Sequence, residues 1–482
     1  MGNSLWRRNA AALFVALALT SPAGTASAET GTEPAKERSA GPQRGPEAEE
    51  YDPFDGIQPS GRIPNVERPA DIERPERWRY IPEGRLKPGN LFERFLVSSF
   101  IAPFVTQDED TGTGFGVAIT DIDFRNQRRR EFAGIFLSLS TEGEQDYGIV
   151  WQRWLHHRER EGGGVFQEER SRVRVSLGYD KTLTKRFFGF GPNTPESFET
   201  SYTDEQFEVD VGMQVSWPDP GGDWVLGGGL RAEFHELSGG EVSDVPQTGC
   251  DPLSVVIMIG LDQRCHRAAF FDAEHANIGW AYWELRYDTR DSQANPYSGW
   301  MLGASVNAAL LQNGGSVGAR YSIEATKVIP LPGLFHGGAE GEEEHPPTDT
   351  LAFGFQTNLS SGDLPFFERP SLGGNSRLRG YIDGRFRDKA SWWAGVEYRL
   401  WVLPRGFPIP FTRSLRVERV GLAPFYELGS VAEDGFALFD SPLLHSYGVS
   451  LRVTLERAAP FRVDFGFSDE GSTLIARFGL PF

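Results

Sequence analysis

Apolar and polar residues alternate with a period of two along most of this chain, which is the pattern of a β-strand with two unlike faces. In residues 460–467, Phe461, Val463 and Phe465 alternate with polar or small neighbours, and residues 447–455 and 173–179 repeat the pattern. Long stretches with the 3.6-residue period of an amphipathic helix are almost absent. The pattern predicts an all-β chain.

Sixteen segments suit a strand. They are 96–105, 113–124, 131–141, 146–157, 169–180, 202–217, 223–237, 276–290, 298–311, 317–329, 349–360, 391–402, 415–428, 444–456, 460–467 and 472–482. A half-buried strand of a soluble sandwich alternates in the same way, but such strands are short. Most of these segments reach the 9–11 residues that cross a bilayer. Because lipid leaves no partner for an open backbone edge, the sheet must close on itself. We therefore expect a closed antiparallel transmembrane β-barrel of about 16 strands in residues 95–482, an even number typical of bacteria.

The composition agrees with a barrel. Only 39% of the residues are hydrophobic, yet the chain contains 56 Gly, 35 Phe and 12 Trp, and its mean hydropathy is −0.38. A barrel needs an apolar residue only at every second position, because the others face a wet lumen. The net charge of −19 argues against nucleic acid as a partner.

The first 94 residues divide into two segments. Arg7 and Arg8, the apolar run 10–19 and the small residues Ala26-Ser27-Ala28 predict a secretory signal peptide in residues 1–28. Ten of the 32 prolines fall between residues 29 and 90, among Glu, Arg and Gly. Such a composition buries too little apolar surface to offset the entropy of ordering, so residues 29–94 are predicted to be a mostly disordered periplasmic extension.

Two short motifs near the C-terminus lie about fifty residues apart. The first is the glycine-led turn 371–381, which ends in Arg379-Gly380-Tyr381. The second is Phe425-Tyr426-Glu427-Leu428-Gly429, and the chain then ends in alternating strands. Together they resemble the BamA/TamA-type outer-membrane barrel superfamily, the bacterial surface antigen family. Residues 188–191 (Phe-Gly-Phe-Gly) and 288–291 (Asp-Thr-Arg-Asp) resemble two further signatures of that family.

The resemblance implies an extracellular loop, residues 361–390, that enters the barrel lumen and is held there. In the family the loop arginine meets an acidic residue of the second motif, and that position is Glu427 here rather than Asp. Phe425 and Glu427 share one face of their strand, so the guanidinium can pair with one and stack on the other. The predicted lumen latch comprises Arg379, Gly380, Tyr381, Phe425, Glu427 and Gly429. The alternative is an exposed hairpin tipped by an ordinary loop arginine.

The last strand carries a second implied feature. Phe478, Leu480 and Phe482 fall on one face, predicted to point outward, and the terminal aromatic resembles the signal by which the assembly machinery recognises barrel clients. Pro481 lacks an N–H and weakens the final ladder. An ordinary edge strand would leave unpaired backbone groups, which closure against the first strand removes.

The remaining candidate chemistry is limited. Cys250 and Cys265 follow the signal peptide, and in an oxidising compartment two cysteines this close favour a disulfide, here in an extracellular loop. We expect no metal and no cofactor. Since no Gly-x-Ser-x-Gly elbow and no phosphate-binding loop occur, we do not expect an enzyme.

The resemblance implies location in the bacterial outer membrane and a role in inserting barrel proteins or translocating polypeptides. The implied partners are outer-membrane lipid and lipopolysaccharide, the barrel assembly machinery during biogenesis, and outer-membrane client proteins. Family members usually carry periplasmic POTRA domains, whose pattern is not seen here. Two alternatives stay open: a passive pore or structural barrel, and an envelope-organising protein whose N-terminal arm binds a periplasmic partner.

Overall fold

The computed structural model describes residues 56–82, 84–108, 111–161, 163–243, 245–248, 274–337, 343–409, 416–455 and 459–482. The strands are β1 (Trp78–Ile81), β2 (Ser99–Asp108), β3 (Gly112–Asp121), β4 (Glu131–Ser140), β5 (Gln145–Trp154), β6 (His157–Glu159), β7 (Val165–Glu168), β8 (Arg172–Phe187), β9 (Thr200–Trp217), β10 (Trp224–Gly239), β11 (His275–Asp288), β12 (Gly299–Gln312), β13 (Gly318–Leu331), β14 (Asp349–Gly362), β15 (Ser371–Leu372), β16 (Phe386–Arg387), β17 (Ala390–Leu403), β18 (Phe407–Pro408), β19 (Arg416–Ala432), β20 (Leu444–Leu455), β21 (Ala459–Phe467) and β22 (Ser472–Phe478). The helix α1 spans Leu91–Ser98, and short 3-10 helices span Pro75–Arg77, Phe124–Asn126, Glu196–Phe198, Asn313–Gly315, Phe366–Glu368 and Ala437–Phe439. No helix among these residues is both long and apolar enough to cross a membrane.

Sixteen of the strands form one antiparallel barrel, which confirms the predicted fold. They are β2–β5, β8–β14, β17 and β19–β22, and each pairs with the next. The longest ladder joins β9 and β10, which pair from Trp217 with Trp224 to Tyr202 with Gly239. All sixteen predicted segments overlap an observed barrel strand. Residues 1–55, with the predicted signal peptide, and both cysteines lie outside the described residues.

The two faces of the barrel wall have opposite chemistry. Outward side chains are apolar and exposed, such as Leu230 at 67%, Trp283 at 56% and Phe465 at 45%. Lumen side chains are polar and buried, such as Arg452 at 3% and Asp464 at 0% exposure. A bilayer covers the first surface, while the polar side chains satisfy one another inside the barrel.

The ring closes at a seam between the last strand, β22, and the first, β2. With seven residues, β22 is the shortest barrel strand. The chain leaves it at Gly479, whose φ of 92° suits glycine. The ring of Phe482 then packs on Trp393, with centroids 5.2 Å apart. Since Trp393 is 1% exposed on the lumen face, the predicted outward direction of Phe482 is wrong. Side chains alternate between the two faces only within a strand, and β22 ends at Phe478, before Phe482.

The expectation of disorder up to residue 94 is also wrong for its C-terminal part. β1 pairs with β7, and β7 with β6, in a three-stranded sheet outside the barrel. Ile63, Ile72, Trp78 and Tyr80 pack with Phe166 of β7 in a buried cluster. We call residues 56–82 with β6 and β7 the periplasmic cap, because the predicted sidedness places them at the periplasmic mouth. By itself this proline-rich segment would bury little apolar surface. It is ordered here because it packs against the turns of the barrel.

Hydrogen bonds and ion pairs tie the periplasmic cap to three turns at this mouth. Glu344 accepts from the Tyr80 amide at 3.0 Å and from Arg68 at 3.2 Å, and its own amide donates to the Ile63 carbonyl at 2.8 Å. Arg77 pairs with Asp223 at 3.2 Å and donates to the carbonyl of Arg290 in the 288–291 motif. The N-terminal segment is therefore bound to several turns of the barrel at once.

Placing a charge on the outward face tests the register. We expect Phe465→Arg to lower the free energy of unfolding by roughly 2–4 kcal/mol, because a guanidinium near the bilayer midplane loses its hydration. Urea titration of the barrel in lipid vesicles measures this change. Phe436→Arg is the control, since Phe436 is 87% exposed in a turn beyond β19 and should tolerate the charge. Equal effects of the two substitutions would contradict the assigned register.

Candidate functional site

The candidate site lies where the loop between β14 and β17 enters the lumen. Inside this loop β15 pairs with β16, and the turn between them reverses through Gly373 and Gly374, whose φ values are 106° and 95°. A Cβ at Gly373 would lie 2.2 Å from the Ile382 carbonyl. Side chains are excluded there, which explains the paired glycines. The turn presents Arg379 to the barrel wall.

Arg379 is completely buried and contacts three carboxylates. Its backbone amide donates to Glu427 Oε2 at 2.7 Å, and its Nε donates to Glu427 Oε1 at 3.1 Å. Its other two nitrogens lie 2.9 Å from Glu397 Oε1 and 3.5 Å from Asp464 Oδ1. The guanidinium carbon lies 3.6 Å from the centroid of the Phe425 ring. The structure thus brings together the Arg, Phe and Glu that the sequence singled out.

Three more arginines complete this buried network. Arg399 and Arg452 donate to Glu397 Oε2 at 3.1 and 2.6 Å, and Arg462 contacts Asp464. Ser446 donates to Glu427 Oε2 at 3.0 Å. Four guanidinium groups therefore share three carboxylates, and side chains of β17, β19, β20 and β21 take part. Such shared charges couple the loop to a quarter of the barrel wall.

Close backbone contacts hold the same turn. A Cβ at Gly380 would lie 2.3 Å from the Phe467 carbonyl, and one at Gly466 would lie 2.0 Å from the Arg379 carbonyl. Gly429 is limited in the same way, by the Trp392 carbonyl at 2.7 Å. Gly380 and Gly466 let the loop backbone lie directly against β21, whereas Gly429 lies against the backbone of β17 and beside the side chains of Leu372 and Leu378.

Tyr381 anchors the far side of the turn. It is 2% exposed, and its hydroxyl donates to Asp469 in the turn between β21 and β22. Burial, together with that hydrogen bond, raises the pKa of Tyr381 above its usual value. The phenol therefore stays protonated and remains a donor at physiological pH.

An apolar cluster lies beside the charged network. Leu372, Leu378, Tyr381 and Phe386 from the loop pack with Trp393 and Val431 of the wall, and Phe482 covers them. The Phe482 carbonyl accepts from Arg399 Nη2 at 2.6 Å, the same arginine that binds Glu397. The C-terminal residue and the lumen latch therefore share one contact surface. Leu480 is half-buried, and Phe478 pairs with Phe461 through its backbone. Their role as an assembly signal stays a prediction.

The 188–191 motif also contacts the loop. The guanidinium of Arg385 lies 4.4 Å from the Phe188 ring centroid, and that of Arg369 lies 4.4 Å from that of Phe190. The amide of Gly191 donates to the Arg387 carbonyl at 3.0 Å. The motif thus supplies a second set of loop contacts.

Sequence reasoning missed Glu397, Asp464 and the three extra arginines. All five occupy lumen positions of strands that the sequence pattern predicts. A buried Arg on a lumen face requires nearby carboxylates, so an inventory of inward charges would have found them.

The sequence model of the Omp85 superfamily domain matches residues 165–479. Among solved structures, BamA from Haemophilus ducreyi lacking POTRA domains 1-3 is 13% identical, with 79% of this chain and 69% of that chain covered and a TM-score of 0.45. CdiB from Escherichia coli is 12% identical, with 79% and 62% covered and a TM-score of 0.49. CdiB from Acinetobacter baumannii is 12% identical, with 79% of this chain and 59% of that chain covered and a TM-score of 0.44. This chain spans less than two thirds of both CdiB chains. No curated protein matches the sequence.

The charge network makes the two partners of the lumen latch unequal. We expect Arg379→Ala to cost about 3–5 kcal/mol of unfolding free energy, because it leaves buried carboxylates without their shared cation. Glu427→Ala should cost less, since Glu397 and Asp464 still bind the guanidinium. The double variant should be little worse than Arg379→Ala, because the two changes remove one interaction. Urea titration with protease cleavage of residues 361–390 measures both effects.

Lys181→Ala is the matched control. Lys181 pairs with Glu205 at 2.7 Å, but both side chains are about one third exposed, so the loss should stay below about 1 kcal/mol. Additive effects of Arg379→Ala and Glu427→Ala would contradict the latch.

Proposed function

Because this chain belongs to the Omp85 superfamily, whose barrels reside in the bacterial outer membrane, we propose that it inserts barrel proteins into that membrane or translocates polypeptides across it. The proposed route is the seam between β2 and β22. Its proposed partners are unfolded outer-membrane client proteins, and the assembly machinery during its own biogenesis.

The seam is the observation that carries this proposal. β22 has only seven residues beside the ten of β2. Pro103 in β2 and Pro481 after β22 each lack a backbone donor. The last residues turn into the lumen instead of extending the edge. A seam bounded by a seven-residue strand has fewer backbone groups to separate than the ladders of 14 or more pairs elsewhere in the wall. An open edge can then pair with a strand of another chain.

The occupied lumen favours this reading over a wide pore. With the predicted sidedness, the lumen latch places buried charge in the extracellular half, and the periplasmic cap binds three turns at the opposite mouth. Ions would have to pass both. A protein that works at its wall needs no open channel through its centre.

One feature favours a second candidate, a passive pore. Between the loop and strands β11–β14 lies a polar cavity lined by residues that include Glu284, Asn307, Arg320, Gln356 and Asn358. Such a lining suits water and ions.

Two measurements on the full chain in liposomes separate the candidates. An insertase accelerates the folding of an added, urea-denatured barrel protein, followed by its heat-resistant band on a gel, and adds little conductance. A passive pore gives a large single-channel conductance and no acceleration. Liposomes with an unrelated 16-stranded barrel are the control. If the client folds at the same rate in both preparations, the proposed function is wrong.

The periplasmic cap predicts how conductance responds to mutation. Glu344→Ala removes the acceptor shared by Arg68 and the Tyr80 amide, so we expect the cap to loosen and the single-channel conductance to rise. Asp71→Ala is the control, because its ion pair with Arg158 is exposed on both sides and should leave conductance unchanged. An unchanged conductance in Glu344→Ala would mean that the cap does not obstruct the lumen.

A further inference from the structure

A second group of buried ionisable side chains lies away from the lumen latch, at the other end of the same loop. Glu233 and His235 point into the lumen from β10, and Glu368 reaches them from the 3-10 helix Phe366–Glu368 of the loop. Each residue offers one ligand atom, and the three atoms lie within 4.8 Å of one another. All three residues are buried, at 4%, 5% and 8% exposure.

The orientation of His235 shows which nitrogen is free. Its Nδ1 lies 3.0 Å from Asp204 Oδ1, so a proton on Nδ1 can be donated to that carboxylate while a metal takes the place of the proton on Nε2. Its Nε2 makes no hydrogen bond and lies 3.9 Å from Glu233 Oε2. A histidine that donates one N–H to a carboxylate and directs its other nitrogen, which has no hydrogen-bond partner, at two further carboxylates has the arrangement of a metal ligand.

The carboxylates are held by outer contacts of the same kind. Trp280 Nε1 donates to Glu233 at 2.6 Å, and Arg320 lies 2.7 Å from Glu368. The Phe367 ring lies 4.6 Å from the imidazole, and Phe366 packs in a buried cluster with Phe187, Tyr202 and Leu237. The aromatic residues limit water, and the polar contacts fix the ligand side chains.

The local charge also favours a cation. Arg231 forms ion pairs with Glu208, Asp210 and Glu233, at 3.7, 3.1 and 3.4 Å. Lys185 forms ion pairs with Asp180 and Asp204, at 3.9 and 2.8 Å, and Arg320 pairs with Glu368. Six carboxylates (Asp180, Asp204, Glu208, Asp210, Glu233 and Glu368) thus pair directly with three cations (Lys185, Arg231 and Arg320), and Arg174 and Arg387 act on Glu208 and Glu368 from further away. Buried carboxylates at this density are costly unless cations compensate them.

We propose that Glu233, His235 and Glu368 bind a divalent transition-metal ion that fixes the loop to β10. One imidazole and two carboxylates suit zinc or manganese better than magnesium or calcium, which prefer oxygen ligands alone. Tetrahedral ligands at about 2.1 Å from a metal are roughly 3.4 Å apart, so the three ligand atoms, which lie within 4.8 Å of one another, need small side-chain shifts to bind it. The metal holds one end of the loop, and Arg379 holds the other.

Zinc binding to the purified full-length barrel tests the site. After treatment with chelator and its removal, calorimetry with Zn²⁺ should give one site per chain, and Zn²⁺ should raise the melting temperature. Both His235→Ala and the isosteric Glu368→Gln should weaken binding at least tenfold and abolish the thermal shift. His275→Ala is the matched control, because this histidine is exposed at the end of the neighbouring strand β11.

A second readout keeps the test decisive if His235→Ala folds poorly. In the wild type, Zn²⁺ should slow protease cleavage of residues 361–390, and in Glu368→Gln it should not. Arg379→Ala should retain zinc binding, which separates this site from the lumen latch and from any activity at the seam. Absence of stoichiometric zinc or manganese in the wild type, or equal binding in Glu368→Gln, would overturn the proposal.

Discussion

Every backbone N–H and C=O within hydrocarbon needs a partner inside the protein, and this constraint organises the structure. It explains why sixteen strands form one ring and why outward residues are apolar while inward ones are charged. It also makes the seam the exceptional place. There the last strand is short, and the chain turns away from the wall. The groups that the seam leaves without strong pairing are the part of the wall that costs least to separate.

Inside the ring the problem is reversed, because charges must be paired in a confined space. The barrel solves it by sharing: Arg379 binds three carboxylates, and Glu397 binds three arginines. A shared network tolerates the loss of a single contact better than an isolated pair does. It also couples the loop, the wall and the C-terminal residue, since Arg399 contacts both Glu397 and Phe482. A movement of β22 would therefore change the contacts of Arg399 and, through Glu397, those of the loop.

The strands of the barrel and part of the lumen latch could be predicted from the sequence, for identifiable physical reasons. A period of two along a strand fixes which side chains face the lumen, so Phe425 and Glu427 were assigned correctly and the strand positions were found. The direction of Phe482 was missed because parity ends with the ladder. The sheet of the periplasmic cap was missed because β1 is four residues long and pairs with residues 165–168. Glu233, His235 and Glu368 were missed because their proximity depends on where a loop enters the lumen, which no local pattern reports.

The periplasmic cap also has a consequence for the order of folding. Residues near the start of the chain contact Phe166 and Glu344, so their final position needs turns that lie far apart in sequence. Contacts of such separation form late, since the intervening chain must first be ordered. The segment that is synthesised early is thus expected to dock after most of the wall exists. Until this segment docks, the periplasmic mouth of the barrel lacks the cap, so docking is expected to be the last step of folding.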